Sequence, residues 1–306
     1  MTSARRGVHA LHLDTGRQMR GGQWQVLQLM QELRRLGVSQ TLLAPGGSPL
    51  LQKAGAAGLH AAPMSLGALW RERRRADLMH AHDAHAHNLG ALFRSHLPLV
   101  VSRRVAFPVR RSLFSRWKYA RAALYLAVSR YVELQLTAAG VPADRVVVVP
   151  DGVVMPAESA AGGTTVLALD SSDPGKCGRA MREAGSLAGI NIVFSNDLTR
   201  DLPRAGVFLY ISESEGLGSA ALLAMAHAVP VVASRVGGLP EAVEDGVVGL
   251  LTGNEPAAIA ACLRRLLDDE PLRRTLGLQA RRRVEECFTI GRTAAQTLLA
   301  YEKVLG

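Results

Sequence analysis

The sequence predicts an α/β protein built from two doubly wound domains. Three observations carry that expectation. Short apolar runs alternate with amphipathic segments through both halves of the 306-residue chain. The runs are nearly continuous in Val, Leu, Ile and Ala, the pattern of parallel strands covered on both faces. A stretch rich in Pro, Gly, Ala and Ser at residues 150–164 separates the halves and reads as a linker.

In the first half the apolar runs place strands at 8–13, 40–44, 77–81, 99–102, 124–128 and 146–149. Amphipathic periodicity places helices at 22–36, 84–94, 112–122 and 129–139, with Gly37 and Gly140 where helix-ending glycines belong. In the second half, strands are expected at 165–169, 191–194, 207–211, 230–233 and 248–251. Helices are expected just after Lys176 and at 219–227, 256–268, 271–288 and 293–305. The expected organisation is a first domain at 1–150, a linker at 151–164, a second domain at 165–290 and a terminal helix at 291–306. Ligands are expected at the carboxyl ends of the strands.

Hydrophobic residues make up 48% of the chain and aromatics 5%, so the cores must be aliphatic. Cys177, Cys262 and Cys287 are widely separated, which argues against a disulfide scaffold or a zinc ribbon. No apolar run reaches membrane-spanning length, and 8–13 is too short for a signal core. A cytoplasmic protein is expected, soluble or peripheral on the inner membrane face. The net charge of +10 gathers at 71–75, 103–104, 110–118 and 281–283. Such clusters suit a polyanion or simply form solvated faces. The basic segment with Arg110, Arg111, Arg116, Trp117 and Lys118 suits an anionic membrane surface. Nucleic acid is not expected, since no helix-turn-helix, RNP motif or zinc finger is present.

The richest stretch is 212–241. An apolar strand runs into Glu215-Gly216-Leu217-Gly218, a helix starts at Ser219, and a buried strand follows at 230–233. A glycine turn at a helix N-terminus presents backbone N–H groups where the dipole is positive, a setting for phosphate. A carboxylate beside it accepts hydroxyl hydrogen bonds, as a sugar requires. This stretch resembles the donor-binding segment of glycosyltransferase family 4 (group 1), retaining enzymes of the GT-B fold. Glu215, Gly216, Gly218, Ala224, Met225, Ala226, Pro230, Gly237, Gly238, Pro240 and Glu241 match the family pattern, while Leu217 stands where Phe is common. Leu223 stands where the family has a second Glu. Weaker matches fall at Gly21-Gly22, residues 77–83, residues 127–129 and residues 149–153.

The resemblance implies a GT-B-like pair of Rossmann-like domains facing across a cleft, with the second shortened between Lys176 and Glu215. It implies transfer of a sugar from a nucleotide-diphosphate donor to an envelope glycan, lipid or similar acceptor, with retention. Lys176 and Glu215 would be catalytic. Gly21, Gly22, Gly216, Leu217, Gly218, Ser219 and Leu223 would line the donor site. His82, Asp83, Arg103 and Arg104 would line the acceptor or sugar side. The family's Arg partner of the Lys falls near Asp170, which is not basic, and Arg179 is the nearby substitute. Two alternatives stay open: a catalytically degenerate partner protein, favoured by Leu223 and the missing Arg, and a nucleotide-sugar epimerase.

No metal and no separate cofactor are expected. The run from His80 to His87 has metal-ligand residue types, but it crosses from a strand end into a helix, so its side chains diverge.

Overall fold

The computed structural model describes residues 7–109, 112–157 and 163–306. The basic positions Arg110 and Arg111 and residues 158–162 of the expected linker lie outside them. The chain divides into two units: residues 1–150 with Ile290–Gly306, and Asp151–Thr289.

The first unit runs β1 (His9–Leu13), α1 (Gly21–Arg35), β2 (Ser39–Ala44), α2 (Pro49–Ala56), β3 (Ala61–Pro63), α3 (Leu66–Glu72), β4 (Leu78–Ala81), α4 (Ala84–Phe93), β5 (Leu99–Arg103), α5 (Leu113–Ala120), β6 (Leu124–Ala127), α6 (Arg130–Ala138) and β7 (Val146–Val148). Its strands form one seven-stranded sheet in the order β3-β2-β1-β4-β5-β6-β7. Every pairing is parallel. Strands covered on both faces explain the runs of Leu, Val and Ala that are almost wholly buried here. Ser48, Ser65, Asp83, Ser112 and Ser129 cap the helices that follow them by accepting backbone N–H bonds.

The second unit runs β8 (Thr165–Leu169), α7 (Gly178–Ala188), β9 (Ile192–Ser195), α8 (Leu198–Asp201), β10 (Ala205–Tyr210), α9 (Ser219–Ala226), β11 (Val231–Ser234), α10 (Leu239–Ala242), β12 (Gly249–Thr252), α11 (Pro256–Asp268) and α12 (Glu270–Cys287). Its five parallel strands lie in the order β12-β11-β10-β8-β9. Between β9 and β10 stands a single helical turn, α8, followed by a short 3-10 turn.

The last helix, α13 (Ile290–Leu305), belongs to the first unit. Ile290, Ala294, Ala300 and Tyr301 enter the core formed by α1, β4, β5 and β6. Thr293 Oγ1 donates to Pro150 O at 2.8 Å, which ties the start of α13 to the end of the first chain crossing.

The sequence-derived elements differ from the structure mainly at 49–72. There α2, β3 and α3 form an unexpected strand and two helices. β3 is three residues long and ends in Pro63 at the sheet edge, where a missing N–H costs no ladder bond. The strand expected at 207–211 begins at Ala205 and ends at Tyr210.

Candidate functional site

Each sheet reverses its strand order at one place, and a polar cluster stands at each reversal. In the second unit that place is between β8 and β10. An open α/β sheet binds ligands there, beyond the carboxyl ends of the strands, because the loops from adjacent strands diverge to opposite faces. The chain leaving β8 makes a 3-10 turn, Pro174–Lys176, whose start Asp173 caps by accepting from Gly175 N at 3.0 Å. The chain leaving β10 passes Glu213, whose N–H donates to Gly175 O at 2.8 Å. That bond laces the two loops together.

Lys176 and Glu215, 39 residues apart, form an ion pair between Nζ and Oε2. Tyr210, the last residue of β10, completes the set. Lys176 Nζ donates to its hydroxyl at 2.7 Å, and the hydroxyl donates to Glu215 Oε2 at 2.6 Å. Burial first, and then the Glu215 charge, push the Tyr210 phenol well above its usual range, so it stays a donor. The other carboxylate oxygen of Glu215 accepts from its neighbour Gly216 N at 3.2 Å. Both charged side chains remain about one-fifth exposed, so the pair is reachable by a ligand.

The backbone of Glu215 is held from behind. Gly238 N donates to Glu215 O at 3.0 Å, and Gly237 has φ +57°. A Cβ on Gly237 would lie 2.0 Å from that same carbonyl oxygen, so only glycine fits. Gly218, at φ +99°, opens α9 without a capping side chain. Leu222 N is the amide that bonds to Gly218 O at 3.0 Å, and the helix amides before it point out of the N-terminus. Glu215, Gly216, Gly218 and Ser219 thus fall at one helix mouth beside Lys176. Leu217 is buried and packs the turn, and Leu223 is half-buried one turn inside α9. Arg179 lies in α7, within its first turn.

In the first unit the reversal lies between β1 and β4. His12 and His80 sit opposite each other in the register of these strands. Together with His82 they form a buried cluster whose ligand atoms lie within 4.8 Å of one another, and among the described residues it is the group of metal-ligand types so arranged. Every ring nitrogen of the cluster is engaged by protein except His12 Nε2, which is buried without a hydrogen-bond partner. His12 Nδ1 meets His82 Nε2 at 2.8 Å; His80 meets Tyr301 Oη at 2.6 Å and Ser102 Oγ at 2.8 Å. Burial holds His12 down to about 3 and keeps His80 and His82 well below the usual imidazole value. All three are therefore neutral at neutral pH. Arg104 reaches His82 Nδ1 at 3.4 Å.

The other first-unit candidates are placed as follows. Asp83 caps α4 and accepts from Thr15 Oγ1 at 2.7 Å, which ties the loop after β1 to the loop after β4. Arg103 donates to Tyr119 Oη at 3.1 Å and to Phe107 O. Gly21 and Gly22 open α1, and the space a Cβ on Gly22 would fill is open. Just behind them Gln23 Nε2 donates to both oxygens of buried Asp14 at 3.2 Å. His12, Asp14, Tyr210 and Tyr301 escape a sequence reading. Each is a single polar residue in or beside an apolar segment, where a core role is the default.

With this geometry in hand, comparison with known proteins is informative. A model described as glycosyltransferase family 4 matches residues 19–155, and one described as glycosyl transferases group 1 matches residues 179–269. The D-inositol 3-phosphate glycosyltransferase of Corynebacterium diphtheriae is 47% identical over 77 residues, 25% of this chain and 18% of that protein. The MMP alpha-(1->4)-mannosyltransferase of Mycolicibacterium hassiacum is 41% identical over 111 residues, 36% of this chain and 27% of that protein. The chain thus aligns with less than a third of the length of these curated relatives. Among solved structures, Anabaena Alr3699/HepE in complex with UDP and glucose matches with a TM-score of 0.82 at 18% identity, over 96% of this chain and 99% of that one. Sucrose-phosphate synthase from Thermosynechococcus elongatus matches with a TM-score of 0.75 at 18% identity, over 97% and 99%. The two units are those of the GT-B fold. A family 4 model on the first unit and a group 1 model on the second agree with the glycine turn at Glu215: the chain belongs to glycosyltransferase family 4, the group 1 glycosyl transferases.

Proposed function

We propose that the protein transfers a sugar from a nucleoside-diphosphate donor to a hydroxyl of a glycan, lipid or similar envelope acceptor. The observation that carries this reading is the Lys176–Tyr210–Glu215 set at the mouth of α9. The donor diphosphate would lie against the N-terminal amides of α9 and the Lys176 ammonium. As the bond between the anomeric carbon and the diphosphate oxygen breaks, negative charge builds on that oxygen. A fixed cation and oriented amides stabilise such charge more in the transition state than in the ground state.

Glu215 would take a sugar hydroxyl at Oε1, the oxygen not shared with Lys176 and Tyr210. The acceptor oxygen forms the new bond, and its proton passes to a donor phosphate oxygen. Retention follows if acceptor and leaving group use the same face. Gly22 leaves room beside α1 for a phosphate to approach backbone, and Gly21 adjoins it. Arg104, seated on neutral His82, is assigned to an acidic group of the acceptor. A cytoplasmic location fits the free thiols of Cys177, Cys262 and Cys287.

The test is a calorimetric screen of UDP, GDP, ADP and their sugar conjugates without added metal, followed by assay of sugar transfer. Saturable binding of one conjugate, lost on Lys176→Met, supports the assignment. Binding by none of them to the folded protein contradicts it.

A further inference from the structure

Helix α5 has no buried residue. Leu113, the most exposed large apolar side chain among the described residues, is 83% accessible; Phe114 and Trp117 are exposed as well, as is Phe107. At about 100° per residue, Leu113, Trp117 and Phe114 fall within one narrow arc. Phe114 and Trp117 stack with ring centroids 5.6 Å apart, which makes the strip continuous. Arg116 borders the strip on one side; beyond the other, Lys118 is half-buried with its ammonium 5.3 Å over the Tyr119 ring. The capping residue Arg121 lies 5.2 Å over the Trp117 ring. The opposite face of the helix is the anchored one: Tyr119 stacks on Tyr125 and meets His87 edge-on. Beside α5 is a cavity of about 470 Å³ lined by Val109, Leu113, Arg116, Tyr119 and Ala139.

We propose that α5, with Phe107, docks on an anionic lipid bilayer. Leu113, Phe114 and Trp117 enter the boundary between headgroups and acyl chains, and Arg116 and Arg121 face lipid phosphates. Charge complementarity selects this occupant. An apolar strip bordered by cations that can extend outward matches a surface that is apolar below and anionic above. Nucleic acid would place phosphate against the centre of the patch, where the leucine and aromatic side chains stand.

The experiment uses the full chain and sedimentation with vesicles of phosphatidylglycerol and phosphatidylcholine, or of phosphatidylcholine alone. Expected are association with the anionic vesicles only, loss of association at high salt, and at least about tenfold weaker association for F114S/W117S. In W24F/W70F protein, the remaining Trp117 fluorescence should shift to the blue on anionic vesicles. Thermal melting of F114S/W117S should be unchanged, since the side chains removed are exposed. Association that ignores F114S/W117S, absence of association, or duplex DNA bound through the same residues in place of vesicles would each overturn the proposal. Nucleotide-sugar binding is read separately and should be indifferent to F114S/W117S, so docking and catalysis fail independently.

Discussion

The two polar clusters occupy the same topological position and are built from opposite chemistry. Both stand where a parallel sheet reverses its strand order. The His12–His80–His82 cluster in the first unit is buried and uncharged, and its ring nitrogens, His12 Nε2 excepted, are taken up by one another, Tyr301, Ser102 and Arg104. The Lys176–Tyr210–Glu215 set in the second unit is charged and partly exposed. A buried neutral network fixes geometry, because a lost partner leaves a costly orphan. An ion pair that keeps about one-fifth of its surface exposed can be reached by a ligand and exchange partners with it. The fold therefore supplies two equivalent places, and side-chain chemistry makes one a buried support and the other the reaction site we propose.

The sharpest way to break the comparison is to remove the cation. Lys176→Met should lower sugar transfer by about 10²–10³-fold in the folded protein, as loss of one transition-state donor does. Equal loss of stability and transfer would make Lys176 structural. Next in size is Gly237→Ala. The new Cβ would collide with Glu215 O, and φ +57° disfavours alanine. A destabilisation of about 2–4 kcal/mol is expected, read by denaturant titration.

Acid should separate the two units. The unfolded imidazole value is near 6.5, and burial depresses His12, His80, His82 and His87 in the first unit. Below 6.5 the unfolded chain therefore binds more protons, so stability falls as pH drops from there toward the depressed values. Each such histidine contributes a slope of about 1.4 kcal/mol per pH unit in that window. In the second unit His227 is depressed as well, and it is the smaller counterpart. Hydrogen exchange between about pH 7 and pH 5 should show β1 and β4 opening before β8 and β10. Simultaneous opening would contradict the contrast. The smallest effect expected is from Tyr210→Phe, which removes one hydrogen bond to Glu215 and should weaken donor binding by about tenfold, read by calorimetry.

Much of this was legible in the sequence for a physical reason. Parallel strands buried on both faces need unbroken apolar runs, so β1, β2, β4 to β7 and β8 to β12 announce themselves. The Glu215 turn is readable because glycines at fixed offsets have few other uses. The segment from α2 to α3 is not readable: its pieces are short and half-exposed, and the strand among them has three residues. Tyr210 is hidden because an aromatic in an apolar strand is ordinarily core, and its hydroxyl's partners lie on two different loops. His12 is hidden because its neighbours His80 and His82 are about 70 residues away, joined to it only by strand register.

The most direct measurement is a calorimetric titration of wild-type and Lys176→Met protein with the nucleotide sugar that binds in the screen. The account predicts saturable metal-free binding to the wild type, and at least about tenfold weaker binding to the folded variant. Equal affinity of the two proteins would contradict the assignment of the Lys176–Tyr210–Glu215 set to the donor.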